Sequence, residues 1–264
     1  MNACGGRPEL GSRGGRVWIK ICGVSDIETA RIAAGCGAGA IGFVFVGRSR
    51  RYIPPGLARQ ISCGLPRNIE KVGVFVDESP ARVAEIARFC GLDLVQLHGG
   101  ESPEYCKALS LPIIKAFRVE SSARGGPEPE REPRPGLEPA RELLGAMDQY
   151  AALPNVARFL LDAYVPGNPG GTGRIFDWIV AASVVGQARR PVILAGGLAP
   201  ENVAHAIKVV RPFGVDVSSG VETCGRKDHE KIRRFIEEAE GAPPEACVDL
   251  EQLKANSQEG EPAT

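Results

Sequence analysis

The chain of 264 residues has no excess of either charge: Lys plus Arg and Asp plus Glu both number 32, and the isoelectric point is near 6.8. This removes the global electrostatic case for nucleic acid or an anionic membrane as a partner. No apolar run is long enough to cross a bilayer, because charges interrupt each one. Residues 1–16 lack the apolar stretch of a secretory signal. The cysteines at 4, 22, 36, 63, 90, 106, 224 and 247 form no C-x-x-C pair, which excludes a zinc knuckle or a thioredoxin-type motif. His98, His205 and His229 are scattered without metal-ligand spacing, so no metal site is expected. A chain of this length needs no disulfide staples, so free thiols in a reducing cytoplasm are expected. The chain is 43% hydrophobic and 24% charged, enough for a substantial core.

Short β-branched runs alternate with helix-start signals. Strands are expected at Val17–Ile21, Ala40–Phe45, Lys71–Val76, Asp93–Leu97, Pro112–Arg118, Arg158–Asp162, Pro191–Leu194 and Gly214–Ser218. Helix starts are marked by a capping box, Ser25-Asp26-Ile27-Glu28, by Pro54-Pro55, and by Ser79-Pro80 and Ser102-Pro103, which place Pro just after an N-cap. Further helices are expected from Phe176, from Pro200 and over His229–Glu240. Nearly continuous apolar strands alternating with helices predict a parallel sheet with its outer face covered. Eight such units fit a single (β/α)8 TIM barrel over residues 16–241, with an open doubly wound sheet as the alternative. Residues 1–15 and 242–264 read as loose tails. Ser121–Pro139, with five prolines, reads as a non-helical insertion, either a tolerated surface loop or a shield over the site.

Gly37–Gly42 spells G-x-G-x-x-G, but it follows a helix and precedes a strand, the reverse of a dinucleotide site. The Gly-rich ends of strands seven and eight, Gly196-Gly197 and Ser218-Ser219-Gly220, stand where barrels of this type usually bind phosphate; tight turns are the other reading. Alternation on strand one puts Lys20 and Cys22 on one face and Ile19 and Ile21 on the other. The apolar pair should meet the helices, leaving Lys20 inside the barrel beneath Cys22, where its charge would favour thiolate; a lone Cys also reads as a small buried hydrophobe. A buried lysine needs a partner, and Asp216 on neighbouring strand eight is expected to supply it. Asp162 ends strand six, a catalytic position in such a barrel or else a loop cap. His98 either meets a substrate or is satisfied in the rim. Arg48, Arg50 and Arg51 are solvated by default, or one of them pairs with a substrate carboxylate. Gly170–Gly173 is either a lid or slack.

Taken together, Lys20–Val24, Gly42–Phe45 leading into Ser49–Ile53, Val72–Val76, Val95–Gly99, Leu160–Asp162, Gly170–Gly173, Gly196–Leu198 with Pro200–Asn202, and Asp216–Glu222 resemble the phosphoribosylanthranilate isomerase family over about residues 17–240. The resemblance implies the third step of tryptophan synthesis. That step is an Amadori rearrangement of N-(5-phosphoribosyl)anthranilate to 1-(2-carboxyphenylamino)-1-deoxyribulose 5-phosphate, without metal or organic cofactor. It implies Cys22 as general base, Asp162 as general acid with a pKa raised by burial among apolar residues, and Arg51 as the holder of the anthranilate carboxylate. His98, Gly197, Ser219 and Gly220 are expected around the substrate, with Lys20 and Asp216 in structural support. The expected partner is this small molecule alone, on a monomer or homodimer. Pro169 departs from the family pattern. A related isomerase of histidine synthesis would carry Asp in place of Cys22. A silent phosphate-binding barrel would not need both Cys22 and Asp162.

Overall fold

A computed structural model describes residues 16–118, 138–162 and 175–241. Both tails, most of the Pro-rich segment, Pro169 and Gly170–Gly173 lie outside the described residues. Eight strands close into a barrel: β1 (Trp18–Cys22), β2 (Ala40–Val44), β3 (Glu70–Phe75), β4 (Leu94–Leu97), β5 (Ile113–Arg118), β6 (Val156–Asp162), β7 (Val192–Ala195) and β8 (Gly214–Val217). Every neighbouring pair is parallel, and β8 closes on β1 with Asp216 opposite Lys20. The helices are α1 (Ile27–Gly35), α2 (Pro55–Cys63), α3 (Pro80–Cys90), α4 (Pro103–Lys107), α5 (Glu138–Ala151), α6 (Ile175–Gln187), α7 (Val203–Val210) and α8 (His229–Glu240). Among the described residues no helix is long and apolar enough to cross a membrane.

Strand alternation builds two cores. Ile19, Ile21, Ile41, Phe43, Phe159 and Val215 belong to the large cluster formed with the helices. Ala40, Val72, Leu94, Ile114, Leu160 and Ile193 fill the barrel, with Cys22, Val44 and Val74 in a separate cluster. Barrels of this kind are filled by side chains in layers, so their interior is no pore. Gly42 points into this interior: a Cβ there would stand 2.9 Å from Lys20 Cε and 3.0 Å from Cys22 Sγ. The glycine that completes the G-x-G-x-x-G run thus makes room for two interior side chains.

Three local expectations are corrected. The α1 cap is Asp26 rather than Ser25: its extended backbone lets Oδ1 accept from Thr29 N at 2.7 Å and Oδ2 from Thr29 Oγ1 at 2.8 Å. α5 begins at Glu138, so the end of the Pro-rich segment is helical; Pro139 falls in the first turn, where a missing N–H breaks no intrahelical bond. α7 begins at Val203 instead of Pro200, because Asn202 folds back to accept from Ala199 N at 2.9 Å. After β8 a single 3-10 turn (Ser219–Val221) leads into a two-stranded hairpin, β9 (Glu222–Thr223) and β10 (Arg226–Lys227), too short to carry a sequence pattern.

Candidate active site

The C-terminal ends of the strands surround a cleft of about 460 Å³. Cys22, Arg51, His98, Asp162, Gly197, Asp216 and Ser219 all line it. Lys20 lies beneath, fully buried, with Nζ 3.1 Å from Asp216 Oδ1 and 2.7 Å from Gln96 Oε1. The expected ion pair is therefore present. Burial works against the Lys20 ammonium, but Asp216 and Cys22 outweigh it and hold its pKa above the ordinary lysine value.

The Cys22 thiol departs from expectation. Burial pushes its pKa up, and Asp216 adds to that; Lys20 and Lys227 pull it down but do not prevail. In the free protein the group is held as a thiol, because removing sulfur from water costs the thiolate more than two ammonium groups return. Alkylation of Cys22 by iodoacetamide, followed by peptide mapping, is expected to rise with pH through a midpoint above the ordinary thiol value of about 8.5. A midpoint below that value would show that the cations prevail.

Asp162, one-fifth exposed, faces His98: Nε2 is 3.2 Å from Asp162 Oδ2. The carboxyl group is thus partly buried, with a polar partner that its place at the end of the strand did not indicate. The other ring nitrogen, Nδ1, is 2.9 Å from the Gln96 amide nitrogen, so His98 is satisfied on both sides while still lining the cleft.

Arg51 reaches the cleft already gripped. Its Nε and Nη2 donate to Glu222 at 2.6 and 3.0 Å, and Arg50 donates to the same carboxylate at 2.9 Å. Lys227 adds a third cation at 3.0 Å and donates to Ser218 O at 2.8 Å. Burial would raise the Glu222 pKa, but the bonds from Arg51 and Lys227 hold it below the usual carboxylate range. Burial shifts the Lys227 pKa down, and Arg51 adds to this; Glu222 pulls it up but does not prevail. Arg48 does not line the cleft.

The loops after β7 and β8 are interlocked. Gly196 and Gly197 have φ of +86° and +65°, and Asn202 Nδ2 donates to Gly197 O at 3.0 Å. Gly220 itself does not line the cleft; a Cβ on it would run into the Leu198 carbonyl oxygen, so only glycine lets the two loops touch. Sequence reasoning missed Arg118, the last residue of β5, which lines the cleft and pairs in register with Asp162. Its shared parity with Ala116 and Ile114 was the available signal. Glu222 and Lys227 carried no such signal, since their partners are set by the hairpin.

A second cavity of about 480 Å³ lies at the opposite end, between Trp18, Glu70, Arg158 and Phe213. Arg158 is satisfied there by a bidentate bond to Glu70 at 2.7 and 2.8 Å and stacks on both rings. That end of such a barrel reads as stability rather than chemistry.

A closed (β/α)8 barrel with a thiol, a carboxylate, an imidazole and a guanidinium converging at its C-terminal face defines a single-barrel enzyme of acid–base chemistry. The sequence model of the family described as N-(5'phosphoribosyl)anthranilate (PRA) isomerase matches residues 19–132 and 136–238, and the chain belongs to that family. It is 49% identical over 224 residues to the N-(5'-phosphoribosyl)anthranilate isomerase of Desulforudis audaxviator, covering 85% of this chain and 98% of that one. Among solved structures, phosphoribosyl anthranilate isomerase from Thermotoga maritima superposes with a TM-score of 0.71 at 39% identity, covering 85% and 99% of the two chains. A phosphoribosyl anthranilate isomerase in complex with reduced 1-(o-carboxyphenylamino)-1-deoxyribulose 5-phosphate gives 0.68 at 37% identity, with the same coverage.

Proposed function

We propose that this protein isomerises N-(5-phosphoribosyl)anthranilate to 1-(2-carboxyphenylamino)-1-deoxyribulose 5-phosphate in the cytoplasm, with Cys22 as base and Asp162 as acid. The observation that carries this reading is the convergence of Cys22 and Asp162 on one cleft, from β1 and β6, with β7 and β8 between them on one side. Groups spaced in this way can reach a sugar from two sides.

Protonated Asp162 gives its proton to the ribose ring oxygen as the C1–O bond breaks, and the nitrogen lone pair forms the C1=N iminium. The iminium acidifies the C2 hydrogen. Cys22 thiolate takes that proton, and the C–H electron pair becomes the C1=C2 bond of an enolamine. Protonation at C1 and loss of the C2 hydroxyl proton complete the ketone. A thiol of raised pKa is scarce as thiolate but a stronger base once formed. The loops at Gly196-Gly197 and Ser218–Gly220 are suited to the 5-phosphate, since glycine allows backbone N–H groups to approach an anion.

Arg51 would hold the anthranilate carboxylate with the edge that Glu222 leaves open. Arg51→Lys is expected to raise KM well above its effect on kcat, because a carboxylate contact made equally in ground and transition states is uniform binding. A fall in kcat at constant KM would place Arg51 at the reacting centre instead.

The test is a fluorescence assay on purified protein, with the substrate formed in situ from anthranilate and phosphoribosyl pyrophosphate by the preceding transferase. Protein-dependent loss of substrate fluorescence is expected. Folded protein without turnover would leave a phosphate-binding barrel or a different aminosugar phosphate as substrate.

A further inference from the structure

Four side chains cross the barrel interior in a single hydrogen-bonded line: Lys20 on β1, Gln96 on β4, His98 just past β4, and Asp162 on β6. We propose that Gln96 is a positioning residue that locks the His98 ring in its neutral, Nε2-protonated form and thereby orients the Asp162 carboxyl group.

The argument starts at Lys20. An ammonium group has donors and no acceptor. Lys20 Nζ is fully buried and lies 2.7 Å from Gln96 Oε1, so the carbonyl end of the amide must face it. The NH2 end is thereby turned toward His98, where it stands 2.9 Å from Nδ1. An amide NH2 only donates, so Nδ1 must offer a lone pair. A neutral imidazole with an accepting Nδ1 carries its proton on Nε2. That N–H points at Asp162 Oδ2, 3.2 Å away. Every bond in the line therefore donates in one direction, and the order is imposed from the end that cannot accept. A proton on Nδ1 would meet the amide N–H head on, and turning the amide over would set its NH2 against the Lys20 ammonium.

The consequence falls on Asp162, and here the inference rests on the reading of Asp162 as the acid. Oδ2 is committed as an acceptor, so the transferable proton sits on Oδ1. The lock thus chooses which carboxyl oxygen meets the sugar ring oxygen. It also mechanically joins the acid to Lys20, the residue that supports Cys22.

The experiment is 15N NMR of the ligand-free full chain with labelled histidine at neutral pH, the His98 signals being assigned by their loss in His98→Asn. The expected parent spectrum has a protonated Nε2 and an unprotonated Nδ1. Gln96→Glu supplies only acceptors to Lys20 and to the ring, so it should move a proton onto Nδ1 and lower kcat roughly ten- to a hundredfold, the usual scale for losing a group that orients a functional side chain, with KM little changed. A side chain that merely packs would leave the ring protonation as it was. A parent ring protonated at Nδ1 overturns the lock and needs no variant to be read. A Gln96→Glu protein with the proton moved and kcat unchanged overturns the positioning role. Because the spectra are recorded without substrate, they report the lock whether or not the protein turns over phosphoribosylanthranilate.

Discussion

Cys22→Ala and Asp162→Asn are each expected to lose about 10²–10⁴-fold in kcat, the range typical of one positioned acid or base, while retaining the fold. The reasons differ. Cys22 is buried against Lys20, Val44 and Val74, and alanine removes only a sulfur from a site whose neighbours are set by the strands. Asn at 162 keeps an oxygen for His98 Nε2–H but has no proton to give to the ring oxygen. Both variants should bind product analogue with little change: the bond from Ser218 Oγ goes to the Cys22 backbone oxygen, 3.2 Å away, which alanine keeps, and neither substitution alters a side chain of the loops suited to the phosphate. The two losses are also expected to be non-additive: without ring opening there is no acidified C2 hydrogen for Cys22 to remove. The assay of fluorescence loss, with the double variant included, checks this. A double variant slower than the parent by the full product of the two losses would mean that the groups contribute independently to one rate-limiting step.

Lys20→Met is expected to cost about 3–5 kcal/mol, the usual result of removing one partner of a buried pair. Methionine fills much of the space, but Asp216, only 8% exposed, keeps its charge without its cation. Gln96 Oε1 loses its donor at the same time. Replacing Asp216 by Leu as well should recover most of the loss, since a buried pair exchanged for apolar groups is often neutral or better. Midpoints of urea unfolding for the parent, the single and the double variant read this directly. The pH dependence has a definite sign. The folded-state pKa of Lys20 lies above its unfolded value, so the pair stabilises fully below the unfolded lysine value of about 10.4 and is lost only as pH rises through the folded value. The difference between parent and variant should therefore be constant around neutral pH and shrink in strong alkali. A single variant as stable as the parent would mean that water or another cation reaches Asp216.

Much of the site can be read from strand parity. Ile19 and Ile21 against Lys20 and Cys22 assigns the interior of β1, and with it the partner for a buried lysine on the neighbouring strand. Closure of the barrel follows from the number and order of its units. Contacts across the interior are another matter. His98 meets Asp162 because the curvature of the barrel brings the ends of β4 and β6 together past the intervening β5, a distance set by closure rather than by any local pattern. Glu222 grips Arg51 from a hairpin of two-residue strands, too short for alternation to show. The thiol of Cys22 was expected to be lowered by Lys20. The cation was placed correctly, but the sequence does not tell how completely the sulfur is buried, and burial decides the direction. The Asp26 cap displaces the Ser25 cap by one residue, because either side chain could serve and only the backbone chooses.

The most direct test of the account is the fate of the C2 hydrogen. Substrate carrying deuterium at C2 of the ribose is given in single turnover to the parent and to Cys22→Ala, and the C2 position is followed by NMR. The account predicts slower conversion of the deuterated than of the ordinary substrate by the parent, and C2–H cleavage by Cys22→Ala slower than the parent's by about 10²–10⁴-fold. Cleavage by Cys22→Ala at the parent's rate would contradict it, because another group would then be the base.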